Sequence, residues 1–434
     1  MQHTWIQDLP RHIGAEVTVA GWIHHRRAKG KLQFLVVRDG SGFLQAVLFA
    51  PDIAPAVFEA AEKLAQETSV LVHGTVRADE RAPGGVELAV SDLNVISPSE
   101  NFPISPKEHG DAFLLDHRHL WLRSRRQHAI QRVRNEFLKG CRDFFYDRDF
   151  VCVDAPIFTP AACEGTTTLF ETDYFDQKAY LSQSGQLYME AAALALGRVY
   201  CLGPTFRAEK SKTRRHLMEF WMLEPEIAFA GIDEVMHLAE EMIANLVARC
   251  LDRCAEELKV LERDTKPLQS VTAPFPRVSY EDAIGMINAA KAPGEPHFEW
   301  GSDFGAPDES AISARFDRPV FVHRFPAVFK AFYMKRDPDD DRLTLSADLI
   351  APEGYGEIIG GGQREDDYDA LLHRLHEHKL PQEAYEWYLD LRRYGSVPHA
   401  GYGMGIERTV SWICGIDHLR EAIAFPRMLY RLAP

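Results

Sequence analysis

Three glycines alternate with larger residues in Gly401-Tyr402-Gly403-Met404-Gly405, and Ile406-Glu407-Arg408 follows directly. The stretch before it, YGSVPHA, reads as extended, and the one after it, TVSWICGI, reads as helical. Side chains alternate across a strand, so all three glycines fall on one face and leave it bare. A flat ring can lie against such a face. The plainer alternative is a glycine-rich turn beside a surface arginine. Two phosphate-binding patterns are excluded by single residues. Ile406 stands where a GxGxxG fingerprint needs its third glycine, and no GxxxxGK[ST] loop occurs anywhere.

The chain ahead of this element divides by pattern. Residues 1–97 hold VTVAGWIHH, LQFLVVRDG, FLQAVLF, SVLVHGTV and GVELAVSDLNVI, which alternate apolar and polar residues between Gly and Asp punctuation. One helical stretch, PAVFEAAEKLAQE, interrupts them. Five strands with one interposed helix suggest a small closed barrel of the OB type, with any small all-β domain as the alternative. Residues 98–117 carry three prolines among polar residues and read as a linker. Residues 118–434 then mix helices and strands. A helix is predicted from about Arg123, with Ile130, Val133, Phe137 and Cys141 on one stripe, and another over 233–262. The fold class is α+β.

Composition narrows the functional classes. The 434 residues carry a net charge of −15, which argues against indiscriminate binding of nucleic acid or membranes but permits a local basic site. No apolar run is long enough to cross a bilayer, and the N-terminus has no apolar signal region. The seven cysteines include no CxxC pair. Cys250 and Cys254, one helical turn apart, read as core thiols, and a reducing cytoplasm is expected.

Two further segments carry chemistry. Phe206-Arg207-Ala208-Glu209 leads into a loop with Lys210, Lys212, Arg214 and Arg215, and then His216-Leu217-Met218-Glu219-Phe220. One fixed arginine followed by several cations suits a polyphosphate, although a solvated basic hairpin tip has the same composition. Arg148 to Phe158, RDFVCVDAPIF, reads as a helix end, a strand and a stopping proline, Pro156. In this order the three segments resemble the signature motifs of class II aminoacyl-tRNA synthetases. RDFVCVDAPIF is similar to motif 1, FRAE…HLMEF to motif 2 and GYGMGIER to motif 3. With the barrel in front, the likeness is to subclass IIb, which handles aspartate, asparagine and lysine, and it spans nearly the whole chain. It implies an N-terminal anticodon-binding barrel followed by a synthetase core, an antiparallel sheet flanked by helices.

The resemblance implies roles. Arg207 grips the α-phosphate of ATP and the substrate carboxylate, and Arg207 and Arg408 are the catalytic pair. Glu209 accepts from the adenine amino group, Arg215 and His216 hold the terminal phosphate, and Phe220 and Arg408 sandwich the adenine beside Gly405. Glu357 and Asp348 are implied as Mg²⁺ ligands. They stand nine residues apart, a wider spacing than is usual for the family, and Gly360 replaces a common metal-binding serine. Pro156 is implied to sit at a homodimer interface.

Ser182 to Glu190, SQSGQLYME, resembles the amino-acid-binding segment of the aspartyl and asparaginyl enzymes, with Ser184 and Gln186 as contacts. Gly185 stands where aspartyl enzymes more often have proline. Glu164 resembles a closing-loop residue near the substrate ammonium. Aspartate and asparagine are nearly isosteric, so only polarity separates them. Arg364 can donate to an amide oxygen and Glu224 can accept from its NH₂, whereas aspartate would set carboxylate against carboxylate. The expected reaction joins L-asparagine to tRNA(Asn) through an adenylate. The alternatives are an aspartyl enzyme, also one charging both tRNAs, and a tRNA-independent asparagine synthetase on the same core.

On the tRNA side, HHRRAKGKLQFLVVR is a basic strip in a segment that is otherwise not basic: residues 1–100 hold nine Lys and Arg against twelve Asp and Glu. Phe34 is placed to stack an unpaired base and Gln45 to read its edge, and barrel core is an equally open reading of Phe34. Arg26, Arg77 and Glu80 match further anticodon-contact positions.

Overall fold

The computed structural model of the protein describes residues 3–163, 169–211 and 213–434. They form two compact units, Met1–Leu115 and Asp116–Pro434.

In the first unit five strands close into a barrel: β1 (Glu16–Lys29), β2 (Leu32–Arg38), β3 (Phe43–Phe49), β4 (Ser69–Ala78) and β5 (Val86–Ser97), in the order β1-β2-β3-β5-β4. Closure pairs β1 with β4 and leaves the short parallel pairing of β3 with β5. The period-two pattern explains the barrel. Leu35, Val37, Leu44, Ala46, Leu48, Val70 and Val72 all point inward and are fully buried. Helix α1 (Pro55–Glu62) sits between β3 and β4, as the sequence predicts, and ends earlier than the helical stretch read there.

The second unit is organised on an eight-stranded sheet. Its strands are β6 (Val151–Cys152), β10 (Arg198–Phe206), β11 (Glu219–Ala228), β12 (Arg277–Ser279), β13 (Val320–His323), β14 (Ser346–Ala351), β15 (Gly356–Gln363) and β16 (His399–Gly405). They run in the order β12-β13-β14-β15-β16-β11-β10-β6. A three-stranded sheet of β7 (Phe158–Thr159), β8 (Glu171–Tyr174) and β9 (Gln177–Leu181) stands apart. The expectation of an antiparallel sheet holds for its centre only. Both edge pairings, β6 with β10 and β12 with β13, are parallel.

Helix α2 (Arg125–Tyr146) starts at Ser124, whose side chain accepts from the Gln127 N–H, and buries the predicted stripe Ile130, Val133, Phe137 and Cys141. It packs with α4 (Ile232–Arg253) against one face of the sheet, in a core with Leu223, Leu349, Met404 and Trp412. The single helix predicted over 233–262 is corrected. It breaks at Cys254, which leaves the helical region (φ −121°, ψ 27°), and a short second helix, Ala255–Val260, follows. Apolar periodicity runs through the break because both pieces bury the same side: Cys250, Cys254 and Leu258 belong to one core. Helix α3 (Gln186–Leu196) leads into β10, and α5 (Glu386–Arg393) precedes β16.

Candidate active site

The FRAE…HLMEF and GYGMGIER segments meet because β11 lies between β10 and β16. Phe206 pairs with Glu219 at the mouth of the β10–β11 hairpin, and Met222 pairs with Gly405 across to β16. The Arg207 N–H donates to Met218 O (3.0 Å) and closes the base of the hairpin loop. Helix α6 (Ile406–Cys414) starts directly after Gly405 and carries Arg408 on its first turn. A cleft of about 730 Å³ results, lined by Arg207, Glu209, Arg215, His216, Phe220 and Glu357, with Gly405 and Arg408 closing it. Every residue read from the sequence as ATP-binding therefore lines one cleft.

Several of these side chains contact one another or the surrounding backbone. The Arg207 guanidinium lies 5.4 Å from the Phe220 ring centroid. Its Nε is buried and, among the described residues, meets no acceptor. Arg408 donates to the Glu357 carbonyl. Arg215 is paired with Glu309 (2.9 Å) and donates to Gly354 O, so a terminal phosphate would have to compete with Glu309 for it. Burial and the nearby arginines hold the His216 pKa below the ordinary range, which leaves it neutral near pH 7. Glu309 and its effect on Arg215 have no signature in the sequence.

A second cavity of about 1480 Å³ shares Arg207, Met222, Glu357 and Gly403 with the cleft. Ser184, Gln186, Glu224, Arg364 and Asp348 line it as well. Four of the five residues assigned to the amino acid are thus brought together. The fifth, Glu164, lies outside the described residues.

Three donors among the described residues meet Glu224. The Ser184 hydroxyl donates to Oε1, the Gly185 N–H donates to Oε2 at 2.8 Å, and the Cys201 thiol approaches Oε2 at 3.5 Å. Arg364, expected to stand open to the substrate, is buried and engaged. Its Nε and Nη2 donate to Glu226 (3.1 and 2.9 Å), while among the described residues Nη1 meets only Met334 Sδ at 3.8 Å. The guanidinium thus spends one edge on Glu226, and Arg364 lines the cavity beside Met334. Burial raises the Glu226 pKa against the pull of Arg364, and Glu226 in turn holds Arg364 firmly protonated. Glu226 was missed, although its signal is present: it stands two residues after Glu224, on the same face of β11.

The glycine alternation has a second cause. A Cβ on Gly401 would stand 2.1 Å from Glu226 Oε2, and one on Gly403 would stand 2.5 Å from Met222 Cε. Gly403 and Gly405 line the first cleft, whereas Gly401 is bare beside the buried Glu226 carboxylate.

Asp348, opposite Gly360 in the register, is ion-paired to Lys330 (2.6 Å). Burial and the neighbouring Glu357 push its pKa up to about 7, against the pull of Lys330. Asp303 is likewise raised by burial, with Glu357 adding to it. Three carboxylates around one lysine leave this corner short of positive charge. Its hard oxygens suit Mg²⁺, which takes one or two protein carboxylates and completes its shell with water and phosphate. Among the described residues no three acidic, His or Cys side chains converge as a complete cage. A Cβ at Gly360 would stand 2.6 Å from Glu357 Oε1, so glycine there leaves that carboxylate its place.

On the barrel, Phe34 is not core. It is half-buried on the outer face, between the inward Gln33 and Leu35. The Arg27 guanidinium lies 4.5 Å from its ring centroid and donates to Gln45 Oε1 (3.2 Å), and Gln45 donates to Glu87. Arg27, which the sequence reading passed over, is therefore the cation beside Phe34. Arg26 pairs with Leu35 and so takes the opposite face of the sheet. Arg77 pairs with Glu87 on β5, and Glu80 is exposed just beyond β4.

Pro156 is exposed beyond the edge strand β6, among exposed Val151, Ile157 and Phe158.

Comparison with known proteins agrees with this geometry. Residues 110–429 match the family of class II tRNA synthetases (D, K and N), and residues 17–96 match the OB-fold nucleic acid binding domain. The chain is 58% identical to an asparagine–tRNA ligase of Desulforamulus reducens, over all of both chains. It is 57% identical to that of Pelotomaculum thermopropionicum, again over all of both. Its fold superposes on the crystal structure of asparaginyl-tRNA synthetase from Pyrococcus horikoshii complexed with asparaginyl-adenylate, with a TM-score of 0.95, 46% identity and full coverage of both chains. Two joined cavities, a barrel ahead of them and full-length likeness of this degree lead to one assignment: the chain belongs to the class II tRNA synthetases of the D, K and N group, in the asparagine–tRNA ligase family.

Proposed function

We propose that the protein activates L-asparagine with ATP to the adenylate, releasing pyrophosphate, and then transfers asparagine to the 3′ end of tRNA(Asn). The observation that carries the choice of amino acid is the polarity of the second cavity. Arg364, a donor, and Glu224, an acceptor, both line it and would meet the two ends of a side-chain amide. A carboxylate has about four acceptor positions, so Glu224 can accept from a substrate NH₂ in addition to its protein donors.

The chemistry follows from charge. The asparagine carboxylate attacks the α-phosphorus while pyrophosphate leaves, and the nucleophile is ionised from the start, so no general base is needed. The two anions repel, and the site must hold both. Arg207 lines both cavities and stands at the junction where that repulsion peaks. Arg408 and Phe220 are placed to enclose the adenine and Glu209 to accept from its amino group, with Arg215 and His216 further along the loop. Glu357 and Asp348 would hold Mg²⁺, which when bound supplies positive charge to the phosphates. The decisive measurement is ATP–pyrophosphate exchange with each amino acid. Exchange with asparagine should exceed that with aspartate by about 10³ or more; faster exchange with aspartate would overturn the reading.

The barrel supplies the tRNA contact. Phe34, Gln45 and Arg27 share one outer face, with Arg26, Arg77 and Glu80 as further candidates. Phe34→Ala should raise the KM for tRNA about tenfold or more, at about 1–3 kcal/mol per stacked base, and leave pyrophosphate exchange unchanged. An equal loss in both assays would point to damaged folding instead.

The exposed edge strand and the apolar residues around Pro156 favour pairing with a second copy of the chain. Among the described residues no helix is long and apolar enough to cross a membrane. The seven cysteines are free thiols, which fits a reducing cytoplasm.

A further inference from the structure

Beside the second cavity lies a buried polar cluster whose members, Gln186 apart, have no role in the reaction as described above. At its centre is Glu190, fully buried on α3. Its Oε1 accepts from Gln186 Nε2 (3.0 Å) and Tyr388 (2.8 Å). Its Oε2 accepts from Arg392 (2.6 Å), His399 (2.9 Å) and Tyr388 (2.8 Å). The His399 ring is doubly constrained. Nδ1 faces the Val397 carbonyl (2.8 Å), and Nε2 faces the carboxylate with Arg392 Nη2 at 3.5 Å; Glu190 raises the His399 pKa against the effect of burial. With Arg392 and His399 against it, Glu190 stays ionised; burial works the other way and loses to these two groups.

The consequence reaches the substrate through Gln186, one helical turn earlier. An ionised carboxylate only accepts, so it admits only the NH₂ end of the Gln186 amide. The carbonyl end is then turned away from Glu190. Gln186 lines the cavity, and among the described residues no donor meets its Oε1. The same cluster ties the other walls in place. Arg392 Nε donates to Glu365 O (2.7 Å), next to Arg364, and the Arg364 N–H donates to His399 O (2.9 Å).

We propose that Glu190 is a positioning residue that fixes the polarity of Gln186, so that the cavity offers a carbonyl acceptor to an N–H donor of the bound amino acid. This rests on the reading of the second cavity as the amino-acid site. An amide at position 190 both donates and accepts, and would let Gln186 turn its NH₂ toward the substrate.

The test is steady-state pyrophosphate exchange with asparagine and with aspartate on the full-length protein. In Glu190→Gln the KM for the amino acid should rise about tenfold or more, while the KM for ATP stays within about twofold. A loss shared by asparagine and aspartate identifies the ammonium as the donor, and a loss confined to asparagine identifies the side-chain amide; both support the proposal. Because Glu190 sits against Arg392 and His399, Glu190→Asp is the second variant. It keeps the charge beside Arg392 but withdraws from Gln186, and should give the same split. Gln186→Met separates the two readings. If it leaves the amino-acid KM unchanged, the cavity assignment is wrong. If it raises that KM, adding Glu190→Gln should bring no further rise. Full additivity in the double variant, an unchanged amino-acid KM in both position-190 variants, or equal loss toward ATP overturns the role of Glu190.

Discussion

Arg207→Ala is expected to lower asparagine-dependent pyrophosphate exchange by about 10³-fold or more, with thermal stability unchanged or slightly raised. Both halves of that expectation come from the same feature. Among the described residues no carboxylate pairs with Arg207, and its buried Nε has no acceptor. A cation held in this way contributes little to folding, since its burial is not repaid by a protein partner. On the proposed reading its partners would be the phosphate and carboxylate, which would meet where the two cavities join. Arg207→Lys keeps the charge but loses the planar fork that grips two oxygens at once, so it should recover only part of the rate. Exchange within about tenfold of the parent in Arg207→Ala would show that the charge on the α-phosphate is met elsewhere.

The sequence made the barrel and the nucleotide cleft legible for a common reason: both are local in their signals. Leu35 and Val37 declare an inward face by alternation, and Arg207, Phe220 and Arg408 lie within short motifs on neighbouring strands or just beyond them. The helix over 233–262 failed because periodicity reports burial and not backbone continuity, and Cys250 and Leu258 are buried on either side of the break at Cys254. What the sequence hid was pairing across distance. Glu226 with Arg364, Glu309 with Arg215 and Lys330 with Asp348 join residues separated by up to 138 positions. None has a spacing rule, because each depends on which strands become neighbours. The same limit explains Arg26 and Arg27. Both stand in one basic run, and only the β1–β2 register decides which shares a face with Phe34.

Glu224→Gln is expected to cut the preference for asparagine over aspartate by about 10²-fold or more, with the fold intact. The Gly185 N–H is an obligate donor and demands an acceptor at 2.8 Å, so the new amide must turn its carbonyl that way. Its NH₂ then faces Ser184, whose hydroxyl can rotate from donating to accepting. The protein contacts survive, and the cavity now shows an N–H donor where it showed an acceptor. The asparagine NH₂ meets a donor and loses its partner, while the aspartate carboxylate gains one and no longer faces a like charge. Arg364 is unaffected, because its Nε and Nη2 stay on Glu226. Discrimination should therefore fall through a higher KM for asparagine and a lower KM for aspartate, with ATP kinetics little changed. An unchanged ratio of kcat/KM for the two amino acids would remove Glu224 from amide recognition and leave Arg364 to account for it.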